Sequence, residues 1–413
     1  MLNKPRLLTP GPTHLPEEVR LALGRDMIHH RKDTFVRLMR RVQTQMQTLF
    51  ATRQPVLPLS CSGTGAMQAA VDNLFAPGDK VLVVEGGKFG QRWTQIAEKN
   101  RLQVQRLEVQ RGRAVNPDQV QAALNQHPDL RGVLVQYSET STGVLHPIRD
   151  LGQITANNRV LLVVDGISGV GISPCPMDDW HIDCLLTGSQ KGLMLPPGLA
   201  LISLSPKAWD RVEGLPGASY YFDLAKEREK WNQGQTAYTS PINLIMGLEA
   251  SLELLLTPDL EPIFLKQWAL TQMTRTGVQA LGLEPLAPTD YTWGLTSFLL
   301  PEGTDAQAVL QQMAQDFNLV LAGGQDELKG RIIRLGHMGH VDWGDILAGL
   351  AALGHCLGSD VPGTSQKDAL EQAMNAYTQA LADTRSPVDK LFSAQIVFFN
   401  REPGTIKSNG GHL

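Results

Sequence analysis

Short apolar runs alternate with amphipathic stretches through the first two thirds of the chain. Val81–Val84, Val133–Val135, Val160–Val164, Cys184–Leu186 and Leu199–Leu204 read as buried strands. Between them, helical spacing of apolar positions covers about 64 to 75, 91 to 100, 117 to 126 and 148 to 157. This strand and helix alternation predicts an α/β domain, a mostly parallel sheet with both faces covered. Pro77-Gly78-Asp79 and Asn116-Pro117-Asp118 supply turn and helix-start chemistry where the alternation needs it. After Tyr238 the texture turns helical, with an apolar run over Ile242–Leu256 and a longer amphipathic pattern over Ile263–Leu281. Thr296–Leu300, Asp305–Phe317, Leu319–Leu321 and Arg331–Leu335 predict a second, smaller α+β unit. From Gly358 onward Gly, Ser, Pro, Asn and charge increase, and Ser408–Leu413 reads as a flexible terminus.

A length of 413 residues suggests two or three domains. The net charge of −4 lacks the basic footprint that phosphate-backbone binding requires, so nucleic acid is not expected as a partner and small molecules are. Four cysteines, Cys61, Cys175, Cys184 and Cys356, include no CxxC pair, which excludes a disulfide framework, a zinc ribbon and an iron–sulfur or nickel–iron centre. They read as structural thiols in a reducing compartment, with no metal site. Pro5, Pro10 and Pro12 interrupt the N-terminal apolar residues, and no stretch reaches membrane-spanning length, so a soluble, cytoplasmic protein without a membrane partner is the expectation.

Ligands of open α/β sheets bind beyond the carboxyl ends of the strands. Val160–Val164 delivers Asp165 there, and the next strand, through Leu186, delivers Thr187-Gly188-Ser189-Gln190-Lys191. An acid and an amine on successive strand ends suit pyridoxal phosphate, which takes a lysine amine at its aldehyde and a carboxylate at its ring nitrogen. A structural Asp165–Lys191 ion pair, or two unrelated charges, satisfies the same spacing. Upstream, Ser62-Gly63-Thr64-Gly65 opens a helix with small residues and two hydroxyls, a cradle for a phosphate at a helix N-terminus. The dinucleotide fingerprint fails there for want of a third glycine, Gly166–Gly171 is mis-spaced for it, and no GxxxxGK[ST] occurs.

With these features the sequence resembles the class V, fold-type I pyridoxal-phosphate aminotransferases, in the serine/alanine–glyoxylate branch, whose cyanobacterial members are sometimes called soluble hydrogenase small subunits. The resemblance runs from Leu7 to about Gly354 and is carried by Pro10-Gly11-Pro12, Ser62–Gly65, Pro77–Asp79, Lys88-Phe89-Gly90, Ser138–Gly143, Asp165, Gly188–Lys191, Pro196–Gly198, Tyr238–Pro241 and Arg334–Gly339. It implies a large domain with a mostly parallel seven-stranded sheet and a smaller α+β C-terminal domain. The corresponding division is an arm at 1–20, the cofactor domain at 21–257, the small domain at 258–357 and an extension of unknown role at 358–413. Position by position, it implies Lys191 as the Schiff-base lysine and Asp165 as partner of the ring nitrogen. Phe89 would stack on one ring face and Ile167 pack on the other. Ser62, Gly63, Thr64 and Gln190 would hold the phosphate, and Thr140 would lie near the phenolic oxygen. Thr236 and Thr239 match a segment that reaches the phosphate from the neighbouring subunit, which implies a homodimer with shared active sites. Gly11 and Arg334 would bind the substrate, a planar guanidinium suiting its carboxylate. Met27–Arg31 resembles a motif at the mouth of the site in which Gly commonly stands where this chain has His29; His337 is a further pocket candidate or a structural histidine.

The activity so implied is transfer of an amino group from serine or alanine to glyoxylate or pyruvate by a ping-pong mechanism, with amino acids and 2-oxo acids as small-molecule partners. Transamination of 2-aminoethylphosphonate uses the same cofactor residues, and a non-catalytic assembly subunit is the reading from another class. A cysteine desulfurase needs a reactive thiol on a mobile loop, whereas Cys356 falls in the apolar helical pattern Ile346–Leu357. The run Ile396–Phe399 lies beyond the resemblance.

Overall fold

The computed structural model describes residues 4–156, 158–215, 217, 219–358 and 365–393. Its largest sheet is built by alternation with period two. In Lys80–Glu85, Leu82 and Val84 enter the core on one face, and Val81 and Val83 enter that on the other. Leu161–Asp165 divides likewise, Leu162 and Val164 against Leu161 and Val163. Strands apolar on both sides need cover on both sides, each fully buried side chain stabilising by about 1.5–3 kcal/mol. Helices Asp33–Phe50 and Ile242–Leu255 cover the first face; Gly63–Leu74, Lys88–Lys99 and Pro206–Glu213 cover the second.

The sheet has seven strands in the order Val56–Leu59, Ala200–Leu204, Cys184–Gly188, Leu161–Asp165, Leu130–Gln136, Lys80–Glu85 and Gln103–Glu108. Ala200–Leu204 runs antiparallel to both neighbours and all other pairs are parallel. The fold is therefore the α/β type expected, and every strand and helix predicted for this part forms. The two edges were not anticipated: Val56–Leu59 contains Pro58, tolerated on an edge, and Gln103–Glu108 is polar and largely exposed.

A second, antiparallel sheet has the order Glu284–Pro285, Leu295–Leu299, Ile332–Gly336 and Ala322–Gly323. Helices Glu261–Ala280, Ala306–Phe317 and Trp343–Leu357 share its core, the last begun by a capping box between Asp342 and Asp345. Helix Gln366–Ala382, begun by the Ser365 hydroxyl, adds Ala369 and Ala373 to the same core. It reaches helix Glu261–Ala280 at Gly277, where a Cβ would stand 2.4 Å from Leu350 Cδ1 and 3.2 Å from Ala373 Cβ.

The N-terminal arm belongs structurally to this smaller unit. Arg6–Leu7 pairs parallel with Leu319–Val320, the Leu8 N–H donates to Val320 O (2.8 Å), and the Gly336 N–H donates to Leu8 O (2.7 Å). The arm then crosses to the large sheet, carrying Pro10 and Gly11 to its strand ends. The run Ile396–Phe399 and the terminus Ser408–Leu413 lie outside the described residues. Among those described, no helix is long and apolar enough to cross a membrane.

Candidate active site

The strand Cys184–Gly188 ends in a tight turn whose geometry fixes Lys191. The Ser189 hydroxyl donates to Pro196 O (2.6 Å), the Leu195 N–H to Ser189 O (3.0 Å) and the Met194 N–H to Lys191 O (3.0 Å). The Thr13 hydroxyl adds a bond to Lys191 O (3.1 Å). Met194 adopts φ +52°, left-handed for a residue with a side chain, so the turn holds local strain. The Lys191 ammonium donates to Pro10 O, and Gly11 lies so close that a Cβ there would stand 2.6 Å from Nζ. Burial lowers the amine to about 8, Asp165 opposing that shift and Arg334 and Arg92 adding to it.

Asp165 ends the neighbouring strand and is 4% exposed. Its Oδ1 accepts the Ile167 N–H at 2.8 Å. Burial pushes the carboxyl up to about 7 against that bond, with Glu139 raising it further and Arg92 and Lys191 drawing it down. Among the described residues no ion pair joins Asp165 to Lys191, so the two are not a structural salt bridge. A buried carboxylate without a cation is costly, and the position calls for one.

The third part is the start of helix Gly63–Leu74. Ser62 occupies the N-cap without bonding through its side chain, and the hydroxyls of Ser62 and Thr64 belong to exposed residues. Thr64 Oγ1 accepts from Arg92 Nη1 (3.1 Å). Gly63 is required by close approach, since a Cβ there would stand 2.3 Å from Ile167 Cδ1. Gln190 Oε1 is buried with no partner. A helix start with no side-chain cap, the Ser62 and Thr64 hydroxyls beside it and Arg92 at Thr64 make an anion site. With the amine of Lys191 and the acid of Asp165, these residues fit pyridoxal phosphate: phosphate, aldehyde and ring nitrogen each find a group of matching chemistry.

Around this centre, Phe89 is half-buried with Arg92 over its ring at 4.9 Å from the centroid. Its backbone is held by Glu139, a fully buried carboxylate that accepts the N–H groups of Phe89 (3.1 Å) and Gly90 (3.1 Å), Gln136 Nε2 (3.0 Å) and the Ser141 hydroxyl (2.5 Å). Burial still raises that carboxyl above its ordinary value despite these bonds. Arg334, 8% exposed, donates from Nε to Gly323 O (2.8 Å) and from Nη1 to Thr140 O (2.9 Å), which draws Thr140 and the small sheet to the same cleft. Ion pairs Lys88–Asp326 (3.0 Å) and Arg111–Glu327 bridge the two units beside it.

Arg92 and Glu139 were missed by sequence reasoning. Arg92 stands three positions after Phe89 on one helix, the spacing that places side chains on a shared face, and this signal was available. Glu139 lies inside a motif already singled out, but its role depends on contacts across the fold.

Thr236 and Thr239 are not gathered into this set. Thr236 Oγ1 donates to Tyr238 O (2.8 Å), and exposed Thr239 lines a separate cleft with Met27, His29 and His30. Arg31 ties the two segments together through Gln235 Oε1 (2.8 Å), Thr236 O (2.9 Å) and Ala237 O (3.3 Å). His337 is wholly buried between Thr296 Oγ1 (3.1 Å) and Gln267 Nε2 (3.2 Å), a structural residue. Cys356 sits within helix Trp343–Leu357, and burial raises its thiol along with those of Cys61, Cys175 and Cys184, opposite to the shift of a reactive thiol. Among the described residues no cluster of His, Cys, Asp and Glu could hold a metal ion.

The family model described as aminotransferase class-V matches residues 15–328. A soluble hydrogenase small subunit of Synechococcus sp. (strain PCC 6716) is 38% identical over 86% of this chain and 93% of its own. A serine–glyoxylate aminotransferase of Methylorubrum extorquens is 33% identical over 84% of this chain and 89% of its own. The crystal structure of a subgroup IV aspartate aminotransferase from Thermus thermophilus superposes with a TM-score of 0.80 at 34% identity, covering 86% of this chain and 99% of that one.

Proposed function

We propose that this chain, which belongs to the class-V aminotransferase family, moves the amino group of a small amino acid, serine or alanine, to glyoxylate or pyruvate in two ping-pong half-reactions. Its cofactor is pyridoxal 5'-phosphate, which carries the amino group and supplies a cationic ring that takes up the electron pair left when the donor's Cα–H bond breaks. Lys191 would join this group and, as a free amine, would serve as the general base at Cα; burial already lowers it to about 8, toward neutrality. Asp165 would keep the ring nitrogen protonated. Ser62, Gly63, Thr64 and Gln190 would hold the phosphate, Phe89 and Ile167 would flank the ring, and Thr140 would serve its phenolic oxygen. Arg334, oriented by two carbonyls, takes the substrate carboxylate over Gly11.

The observation that carries this reading is the placement of buried Asp165 at the end of one strand and half-buried Lys191 in the turn after its parallel neighbour, with burial raising the acid to about 7 and lowering the amine to about 8. The same reading includes a division between the units at 257, a cytoplasmic location, and a homodimer in which Thr236 and Thr239 reach the partner's phosphate. Exposed Met27 (69%) in the cleft beside Thr239 supports the last. A relative of Paracoccus denitrificans is an L-aspartate–glyoxylate aminotransferase, so aspartate joins the donors to be tried. Transamination of 2-aminoethylphosphonate is the alternative. The hydrogenase name of the Synechococcus relative finds no thiolate or metal cluster among the described residues here.

Lys191→Ala should lose turnover and the visible absorbance of the lysine-bound cofactor; an active, coloured variant would overturn the assignment. Serine, alanine, aspartate and 2-aminoethylphosphonate, each tried with glyoxylate and with pyruvate, identify the donor and acceptor.

A further inference from the structure

Behind the turn that carries Lys191 lies a cavity of 240 Å³, and none of the cofactor or substrate residues named above lines it. Gly192 and Met194 form its wall toward Lys191, and Leu254, Leu255 and Ile263 make it apolar. One cationic side chain enters it. Lys266 projects from helix Glu261–Ala280, and its ammonium donates to Gly339 O at 3.2 Å. No ion pair to it exists among the described residues. Lys266 is half-buried, and with one bond made its ammonium has two N–H donors left to offer an anion in the cavity. Asp342 and Asp345 act on it only at a distance, and Asp345 is already engaged by Arg6 at 3.0 Å.

We infer that this cavity is a binding site for a short aliphatic monocarboxylate, held by Lys266 through the carboxylate and by Met194, Leu255 and Ile263 through the alkyl chain. Three observations select that class. One cation among apolar walls suits one carboxylate with a hydrocarbon tail. Glu18, exposed on the lining, repels a ligand in proportion to its negative charge, so a monocarboxylate is opposed least and phosphate and dicarboxylates more. His340, also on the lining, is lowered by burial first and by Lys266 among other groups, so it does not add a second cation at neutral pH. Met194 is also the residue of positive φ in the Lys191 turn, so the cavity adjoins the backbone that positions the amine while lying outside the cofactor and substrate residues.

The test uses the full-length, cofactor-loaded protein and carbon-13-labelled butyrate observed by NMR. Arg334→Gln removes the carboxylate site of the active centre, so butyrate bound to that variant reports the second cavity. Butyrate should bind Arg334→Gln. Adding Lys266→Met should weaken that binding by about tenfold or more, as loss of one charge-assisted bond requires, while Lys266→Arg retains it. Inorganic phosphate should not displace the butyrate. Absence of binding to Arg334→Gln, binding indifferent to Lys266→Met, or displacement by phosphate would each overturn the site. Lys266→Met keeps the apolar stem, and an unchanged circular dichroism spectrum separates loss of the ligand from loss of the fold. The readout is binding, so failure of the transamination reading leaves the result interpretable.

Discussion

Gly11 is the most exposed point of the catalytic argument, because a single methyl group tests it. The residue adopts φ +101°, and the Cβ of Gly11→Ala would stand 2.5 Å from Lys191 Cδ, 2.6 Å from Nζ and 2.8 Å from Cε. Non-bonded carbons settle near ~3.5–4.0 Å, so a displacement of about 1 Å is demanded. The atoms struck are the far end of a flexible side chain, and the lysine withdraws before the backbone does. Two separable costs follow. The positive φ removes about 1–3 kcal/mol of stability, and an amine misplaced by about 1 Å lowers kcat by roughly a hundredfold. Gly78→Ala is the control: φ is +91°, yet nothing lies within 4 Å of its Cβ, so it carries strain without collision. Steady-state transamination and urea unfolding of both variants should show similar losses of stability and a loss of kcat in Gly11→Ala alone. A Gly11→Ala enzyme with kcat within about twofold of the parent would refute the placement of Lys191 against the arm.

Two further outcomes concern pH. Asp165 stands at about 7 against an ordinary 3.8, so the folded carboxyl keeps its proton after the unfolded one has lost it; the stability present below 3.8 is lost as pH rises toward 7, and the penalty is complete above it. Asp165→Asn should therefore stabilise the cofactor-free protein at pH 8 by up to about 4 kcal/mol while depressing turnover of the loaded enzyme; urea unfolding at pH 8 showing no gain would contradict this. His146 and His337 are held neutral by burial at about 4 and about 3 against 6.5, so their contribution is complete above 6.5 and declines as pH falls toward the folded values. Each should cost about 2 kcal/mol at pH 5, and denaturation midpoints equal at pH 7 and pH 5 would argue against it.

Elements apolar on both faces were legible because burial leaves its period in the letters, as in Val81–Val84 and Leu161–Val164. Gln103–Glu108 was not: an exposed edge needs no apolar alternation, and its cohesion lies in backbone pairing with Lys80–Glu85. Helix Asp33–Phe50 is legible in principle, since its buried Phe35, Leu38, Met39, Val42 and Met46 keep helical spacing, but polar and basic residues between them dilute the pattern. Helix Gln366–Ala382 buries alanines, which scarcely register in a hydrophobic pattern. Within the site, Asp165 and Lys191 could be found because strand ends concentrate ligand chemistry. Glu139 and Lys266 could not, since what matters about each is which unbonded or bonded groups another part of the chain brings to it. The carbonyl of Pro10 carries no signature at all, every residue having one.

That carbonyl has a practical corollary for anyone handling the protein. Leu8 completes the edge beside Gly336, two residues beyond Arg334, while Pro10 and Gly11 seat the amine, so one short ribbon is at once a stave of the smaller unit and a stop for the lysine. Trimming the chain to residue 9, or splicing a rigid fusion against it, strikes folding and chemistry together.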